Sequence, residues 1–231
     1  VQTHAGAWSA HRDVRLAALV EPDPSRLAAA AARWDVAECY SDVATMLDRI
    51  RPEIVSVATP DPTHESVLDL VFAAPSVRAV LAEKPLALDA RTAERLTALA
   101  SERGIVLAVN YSRRFAPSHR RLSGWLTEGH LGRIELVRGS YVRGLKHNGT
   151  HWLDLVRWLV GEIETIVGEG VVPEGATDAT IDVAMRFTGG ARGFLHGLTE
   201  STYSLFELDI LGGDGRVQVT EAGARIDSFR V

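Results

Sequence analysis

From Val14 onward, short apolar runs alternate with stretches whose apolar residues recur at helical spacing, the pattern of β-α-β units feeding a parallel sheet. The predicted strands are residues 14–20 (VRLAALV), 53–58 (EIVSVA), 77–83 (VRAVLAE) and 105–110 (IVLAVN). The helices between them carry end signals: Asp23 as N-cap with Pro24 at the first helical position, Ser41 as N-cap, and Asp89 opening a helix that Gly104 closes. This rhythm predicts a Rossmann-like dinucleotide-binding domain over residues 1–111. After Tyr111 the period changes, to a helix near 118–128, a long strand near 133–143 and a helix from Thr150 to Val160 stopped by Gly161. The segments IDVAMRF and ARGFLHGL flank Gly189 and Gly190, and LFELDIL and RVQVT flank the loop 212–215, two hairpin signals. Residues 112–231 are therefore expected to form an α+β domain with a mostly antiparallel open sheet.

Composition narrows the function classes. With 231 residues, 46% hydrophobic and 24% charged, the chain can bury a core in each of two modest domains. Its net charge of -5 comes from acids and bases mixed throughout, without the basic stripe that a nucleic acid needs. Cys39 is the single cysteine, which excludes an intramolecular disulfide or a thiolate metal cage and suits a reducing compartment, so cytoplasm is expected. No apolar run reaches the roughly 20 residues of a membrane-spanning helix, and no signal-peptide pattern opens the chain. Neither a nucleic acid nor a membrane is an expected partner.

Open parallel sheets present ligands at the carboxyl ends of their strands, and three features fall there. Glu21 closes the first predicted strand. A carboxylate at that place in a dinucleotide-binding unit accepts hydrogen bonds from the adenosine ribose diol, roughly 20 residues after a glycine fingerprint. Counting back puts that fingerprint just before Val1, and the 231 residues alone are expected to bind NAD weakly. The carboxylate favours NAD over NADP, with Arg26 one turn on leaving NADP open; the alternative for Glu21 is a surface acid before a turn. The second feature is ATPDPTH, residues 58–64. This stiff loop suits a backbone laid along a dinucleotide, with Thr59, Pro60 and His64 as candidate contacts, or His64 simply serves the first turn of the next helix. The third is Glu83-Lys84-Pro85. A lysine ending an apolar strand loses hydration, so it is either paired structurally, with Glu83 or another group, or used to hydrogen-bond a reacting oxygen.

Taken together, LVEPDPSR, VATPDPTH, AEKPLALD, VNYSRRFAP and NGTHWLDLVRWLVG resemble, in order and spacing, the glucose-fructose oxidoreductase and inositol dehydrogenase family of NAD(P)-dependent enzymes. The opening THAGAWSAHRDV is similar to the stretch just after that family's glycine loop, so the first strand and the loop are expected upstream of Val1. The resemblance spans nearly the whole chain. It implies that Lys84 contacts nicotinamide-side groups and the reacting hydroxyl, that Glu83 belongs to the cofactor site, and that His151 is the acid/base. The family commonly has Asp four residues before that histidine. Here His147 stands in its place, leaving His147, Asn148 and Asp154 as candidates for the third, orienting role, with Asp154 also read as fixing its helix to its surroundings. His147, His151 and Asp154 also have metal-like spacing, but Gly149 interrupts the helix start and no glutamate base accompanies them, so no metal is expected.

Tyr111, Arg113 and the neighbouring Arg114 form a cluster suited to a substrate carboxylate or phosphate, or else a solvated basic corner. Arg143 and Lys146 are further candidates for substrate contact. The helix 150–160 is apolar on more than one side, which favours burial, and the resemblance implies that the sheet beyond it pairs in homodimers or homotetramers. The expected activity is oxidation of a secondary hydroxyl on a sugar, polyol or sugar derivative. The alternative is a non-catalytic member that binds a dinucleotide or sugar as a sensor or assembly partner.

Overall fold

Two units make up the chain, Val1–Asn110 and Tyr111–Val231. The computed structural model describes residues 3–170, 178–199, 202–203 and 205–230. In the first unit the elements run α1 (His4–Ser9), β1 (Leu19–Val20), α2 (Pro24–Trp34), β2 (Cys39–Tyr40), α3 (Val43–Ile50), β3 (Ile54–Val57), α4 (His64–Ala73), β4 (Ala79–Ala82), α5 (Ala90–Glu102) and β5 (Val106–Val109). All strand pairs are parallel: β1 with β2, and β3-β4-β5 in order.

The helix ends follow from their first residues. The Asp23 carboxylate accepts the N–H groups of Ser25 and Arg26, with Pro24 at the first helical position, and Asp89 accepts that of Thr92. Arg103 ends α5, and Gly104 follows in the left-handed region at φ 66°. Two expectations need correction. The N-cap of α3 is Asp42, not Ser41, because the Asp42 carboxylate reaches the Thr45 N–H at 2.8 Å. The strand expected over 14–20 is only Leu19–Val20, because its partner β2 is itself two residues long and the ladder ends with it. Leu68, Val71 and Phe72 of α4, Leu96 of α5, and Val57, Val80 and Ala82 of the strands close the core.

The second unit runs α6 (Pro117–Thr127), β6 (Ile134–Val142), α7 (Thr150–Leu159), β7 (Ile163–Glu169), β8 (Asp182–Phe187), β9 (Arg192–Leu198), β10 (Phe206–Gly212), β11 (Gly215–Thr220) and β12 (Arg225–Arg230). A turn of π-helix, Leu145–Gly149, leads into α7. The strands form one sheet in the order β12-β11-β10-β6-β9-β8-β7. Both expected hairpins are present, yet β6 and β9 are parallel. The helical crossover through α7 returns the chain to the end where β6 began, so β7 runs in the direction of β6. Two antiparallel turns then bring β9 back beside β6 in that same direction.

Alternation decides which face is covered. In β8 the buried residues are Val183, Met185 and Phe187, on the side that packs with Trp152, Leu155 and Val156 of α7. Trp152 sets the closest approach: its Nε1–H donates to the Glu207 carbonyl at 3.0 Å, and its ring occupies the space that a side chain at Gly139 would fill. On the opposite face the Asp209 carboxylate, 7% exposed, is held by Arg138 from β6 and Arg216 from β11. Burial pushes this carboxyl up, but the hydrogen bonds from Arg216 and Arg138 outweigh it and hold it below the usual carboxylate range.

Gly139→Ala is expected to destabilise the second unit by about 1–3 kcal/mol through overpacking against Trp152, read as a lowered denaturation midpoint; an unchanged midpoint would refute the tight fit. Asp209→Asn tests the opposite face. Because the folded carboxyl lies below its unfolded value, its pairing contributes fully above the unfolded pKa of about 4 and is lost as pH falls through the lower folded value. The variant is therefore expected to lose about 1–2 kcal/mol at neutral pH, discounted for two partly exposed arginines, with the gap closing in acid. A gap independent of pH would contradict the assignment.

Candidate active site

The end of β4 delivers Glu83, Lys84 and Pro85. The last main-chain rung, Glu83 N–H to Val57 O at 2.8 Å, ties them to β3. Beyond it the Glu83 carboxylate takes over as anchor. Its Oε1 accepts from Asn110 Nδ2 at 2.7 Å and meets His4 Nε2 at 2.9 Å, while Oε2 accepts the Lys84 N–H at 3.2 Å. The other ring nitrogen of His4 meets Ser56 Oγ at 2.7 Å, and Trp8 Nε1–H donates to the same hydroxyl. Burial pushes the Glu83 carboxyl up; the bonds from Asn110, His4 and the Lys84 N–H prevail, and it sits below the ordinary glutamate value, ionised near neutrality. The side chain of Lys84 is half-buried, and its peptide bond to Pro85 is cis.

Glu21 follows directly on β1, where its N–H continues the ladder to the Tyr40 carbonyl. Its Oε1 accepts the Asp23 N–H at 3.0 Å, leaving further acceptor capacity. In the loop after β3, Thr59 Oγ1 is buried without a hydrogen-bond partner, and Pro60 precedes a single 3-10 turn, Asp61–Thr63. The residues of this unit suit a dinucleotide: a carboxylate acceptor at one strand end, an unsatisfied hydroxyl at a second and an ammonium at a third. His64 is a correction to the expected contacts. It is 0% exposed, its Nδ1 lies 2.7 Å from the Pro85 carbonyl and its Nε2 lies 2.9 Å from the Thr59 carbonyl, so neither nitrogen is left for a ligand.

In the second unit, His151 is the second residue of α7, half-buried, and meets the ring of Tyr111 edge-on at 6.0 Å between centroids. Burial, then the charge of Asp154, pushes the Tyr111 phenol up, which keeps its proton in place as a donor. Two of the three candidates for orienting His151, Asn148 and Asp154, hold other partners. Asn148 Nδ2 donates to the Val142 carbonyl at 2.9 Å, and both Asp154 oxygens are forked by Arg114 at 2.7–3.0 Å, which pins α7 to the turn Ser112–Phe115. Arg113 lies over the Phe206 ring at 3.8 Å, so the twin arginines are divided between packing and pairing.

The π-helical turn holds Lys146 and His147 on the surface because the Asp178 carboxylate accepts both of their N–H groups at 2.8 Å. Arg143, exposed, takes φ 66° just before Gly144 at φ 84°, whose missing side chain leaves room for that same carboxylate. Among the described residues no group of three or more His, Cys, Asp or Glu side chains is arranged to hold a metal. Sequence reasoning missed His4, Ser56, Asn110 and Asp178 as functional residues. His4 and Asn110 fall inside recognisable stretches, THAGAW and VNYSRRF, but their convergence on Glu83 spans up to 79 residues. Asp178 lies in a loop with no periodic signal.

Comparison with known proteins gives two family matches along the chain: residues 1–111 to the oxidoreductase family with NAD-binding Rossmann fold, and residues 144–218 to the GFO/IDH/MocA C-terminal domain. Inositol 2-dehydrogenase 2 of Saccharopolyspora erythraea is 32% identical over 163 residues, covering 64% of this chain and 47% of the relative. D-apiose dehydrogenase of Paraburkholderia graminis is 28% identical over 179 residues, covering 70% of this chain and 47% of its own. The chain thus spans about half the length of these curated relatives, 47% in each. Among solved structures, the WlbA dehydrogenase from Bordetella pertussis, in complex with NADH and UDP-GlcNAcA, superposes with a TM-score of 0.87 at 25% identity over 98% of this chain and 77% of that one. Both domain matches name one family, and the chain belongs to the GFO/IDH/MocA family of oxidoreductases.

Proposed function

We propose that the complete protein is an NAD(P)-dependent dehydrogenase that oxidises a secondary hydroxyl of a sugar, polyol or sugar derivative, with NAD as the preferred cofactor. The observation that carries the reading is Lys84, fixed at the carboxyl end of β4 by an ionised Glu83 that is itself held from three directions. Relatives named as inositol and D-apiose dehydrogenases support the substrate class. Glu21 would receive the ribose diol, and its carboxylate disfavours a 2′-phosphate there.

Bound nicotinamide supplies a hydride acceptor. The Lys84 ammonium hydrogen-bonds the hydroxyl oxygen and steadies the negative charge that grows on it as the O–H proton leaves. The His151 imidazole takes that proton, and the raised pKa of Tyr111 keeps its phenol available as a neutral donor beside that ring. Arg143 and Lys146, both exposed, are assigned to substrate contact, with His147 beside them where a carboxylate was expected. Asp154 and Asn148 act through structure, by holding α7 and the end of β6.

In the full-length protein, Lys84→Ala and His151→Ala are each expected to lower turnover at least about 100-fold, followed by absorbance of reduced nicotinamide against a panel of sugars and polyols, with NAD affinity by calorimetry within about threefold of wild type. Turnover near wild type in either variant would sink the assignment. NAD binding without turnover on any sugar or polyol would favour a sensor or assembly role.

The same reading places the protein in the cytoplasm as a homodimer or homotetramer. Among the described residues no helix is long and apolar enough to cross a membrane, and Cys39 is a free thiol. Val167, Phe194 and Leu198, exposed on the uncovered side of β7 and β9, give the open face of the sheet an apolar border suited to a second copy. Phe194→Glu is expected to shift the mass measured by light scattering toward the monomer; a wild-type protein already monomeric at micromolar concentration would end the proposal.

A further inference from the structure

The parallel ladder fixes β3 and β4 to each other only as far as Glu83 N–H and Val57 O, and the two chains then part into separate loops. One loop carries Thr59 and the other Lys84. The side chain of His64 links them. It sits at the start of α4, wholly enclosed, and each ring nitrogen faces a main-chain carbonyl from a different loop: Pro85 O at 2.7 Å and Thr59 O at 2.9 Å. A carbonyl only accepts, so each of the two hydrogen bonds requires a proton on the ring nitrogen that faces it. A buried donor or acceptor left without a partner costs more than an average hydrogen bond contributes, so the arrangement resists a shift of either loop. Lys84 is thereby fixed on both sides. Its N-terminal neighbour Glu83 is tied to Asn110 at the end of β5, and its C-terminal neighbour Pro85 is tied through His64 to the loop after β3.

We propose that His64 is a positioning residue: it bridges the loop of Thr59 and the turn of Lys84, and so sets where the ammonium of Lys84 stands relative to bound dinucleotide and substrate. The proposal rests on the reading of Lys84 given above. It assigns His64 no contact with ligand, and its effect on catalysis is carried entirely through Pro85.

Two amides separate the two bonds. Asn overlays its amide on the place of Nδ1 and keeps a donor toward Pro85; Gln reaches the place of Nε2 and keeps a donor toward Thr59. In the full-length protein, His64→Gln is expected to lower kcat about tenfold or more, because displacement of a reacting group by about 1 Å is costly, whereas His64→Asn stays within about threefold of wild type. Melting temperatures of the two variants are expected to be similar. Equal loss of kcat in both, or a glutamine variant within twofold of wild type, would overturn the proposal and leave His64 a filler of volume. The wild-type protein is also expected to show a slowly exchanging His64 Nδ1 proton by NMR; its absence overturns the bridge even where a variant does not fold. Lys84→Ala serves as the control. If it retains turnover, the reading of Lys84 itself has failed; if it is inactive while His64→Gln is normal, only the role of His64 has.

Discussion

A carboxylate that loses part of its water must recover those interactions from the protein, and the end of β4 is organised around meeting that demand for Glu83. Its partners come from α1, from the residue after β5 and from the adjoining peptide, so one side chain draws together elements far apart in the chain. Apolar packing of α4 and α5 onto the parallel strands holds the sheet, but packing is indifferent to the direction in which a turn leaves it. Hydrogen bonds supply that direction. The negative charge kept on Glu83 also makes its neighbourhood a favourable place for an ammonium, which reconciles a lysine with the end of an apolar strand.

The second unit solves the same problem with different chemistry. Its helix α7 is pulled to the sheet by Trp152, and its polar side is fixed by the fork of Arg114 on Asp154. The turn that precedes it is set by one carboxylate, Asp178, which satisfies two successive N–H groups that the π-helical start leaves open. Charges in this unit are placed where they define backbone geometry, and the imidazole of His151 and the phenol of Tyr111 are carried on that frame.

Periodicity made the fold class legible, because short apolar runs alternating with helical stretches in the first unit and strands of alternating polarity in the second leave different signatures. It could not register β2, whose two residues are too few to show a period, or the parallel pairing of β6 with β9, since hairpin signals describe only adjacent strands. Lys84 was nameable because a lysine is unusual at the end of an apolar strand, and His151 through the resemblance carried by the stretch around it. The function of His64 was not, although the residue itself was singled out: its partners are main-chain carbonyls, which carry no side-chain identity to read. The same holds for Asp178, which acts on peptide N–H groups.

The placement of β6 at the heart of the large sheet bears on how the unit comes to be built. Its partners on either side are β9 and β10, and the ion pair between Arg138 and Asp209 closes a span of 71 residues. The strand emerges from the ribosome before either of these neighbours, and its edges stay uncovered until β9 and β10 have been made. Loop-closure entropy has to be overcome before any ladder rewards it, so assembly of this unit is slow compared with a helical bundle of the same size and concentrated in one late step. During that interval the apolar side of β6, with Val137 and Tyr141, depends on α7 for cover, the one large partner that follows it immediately in the chain.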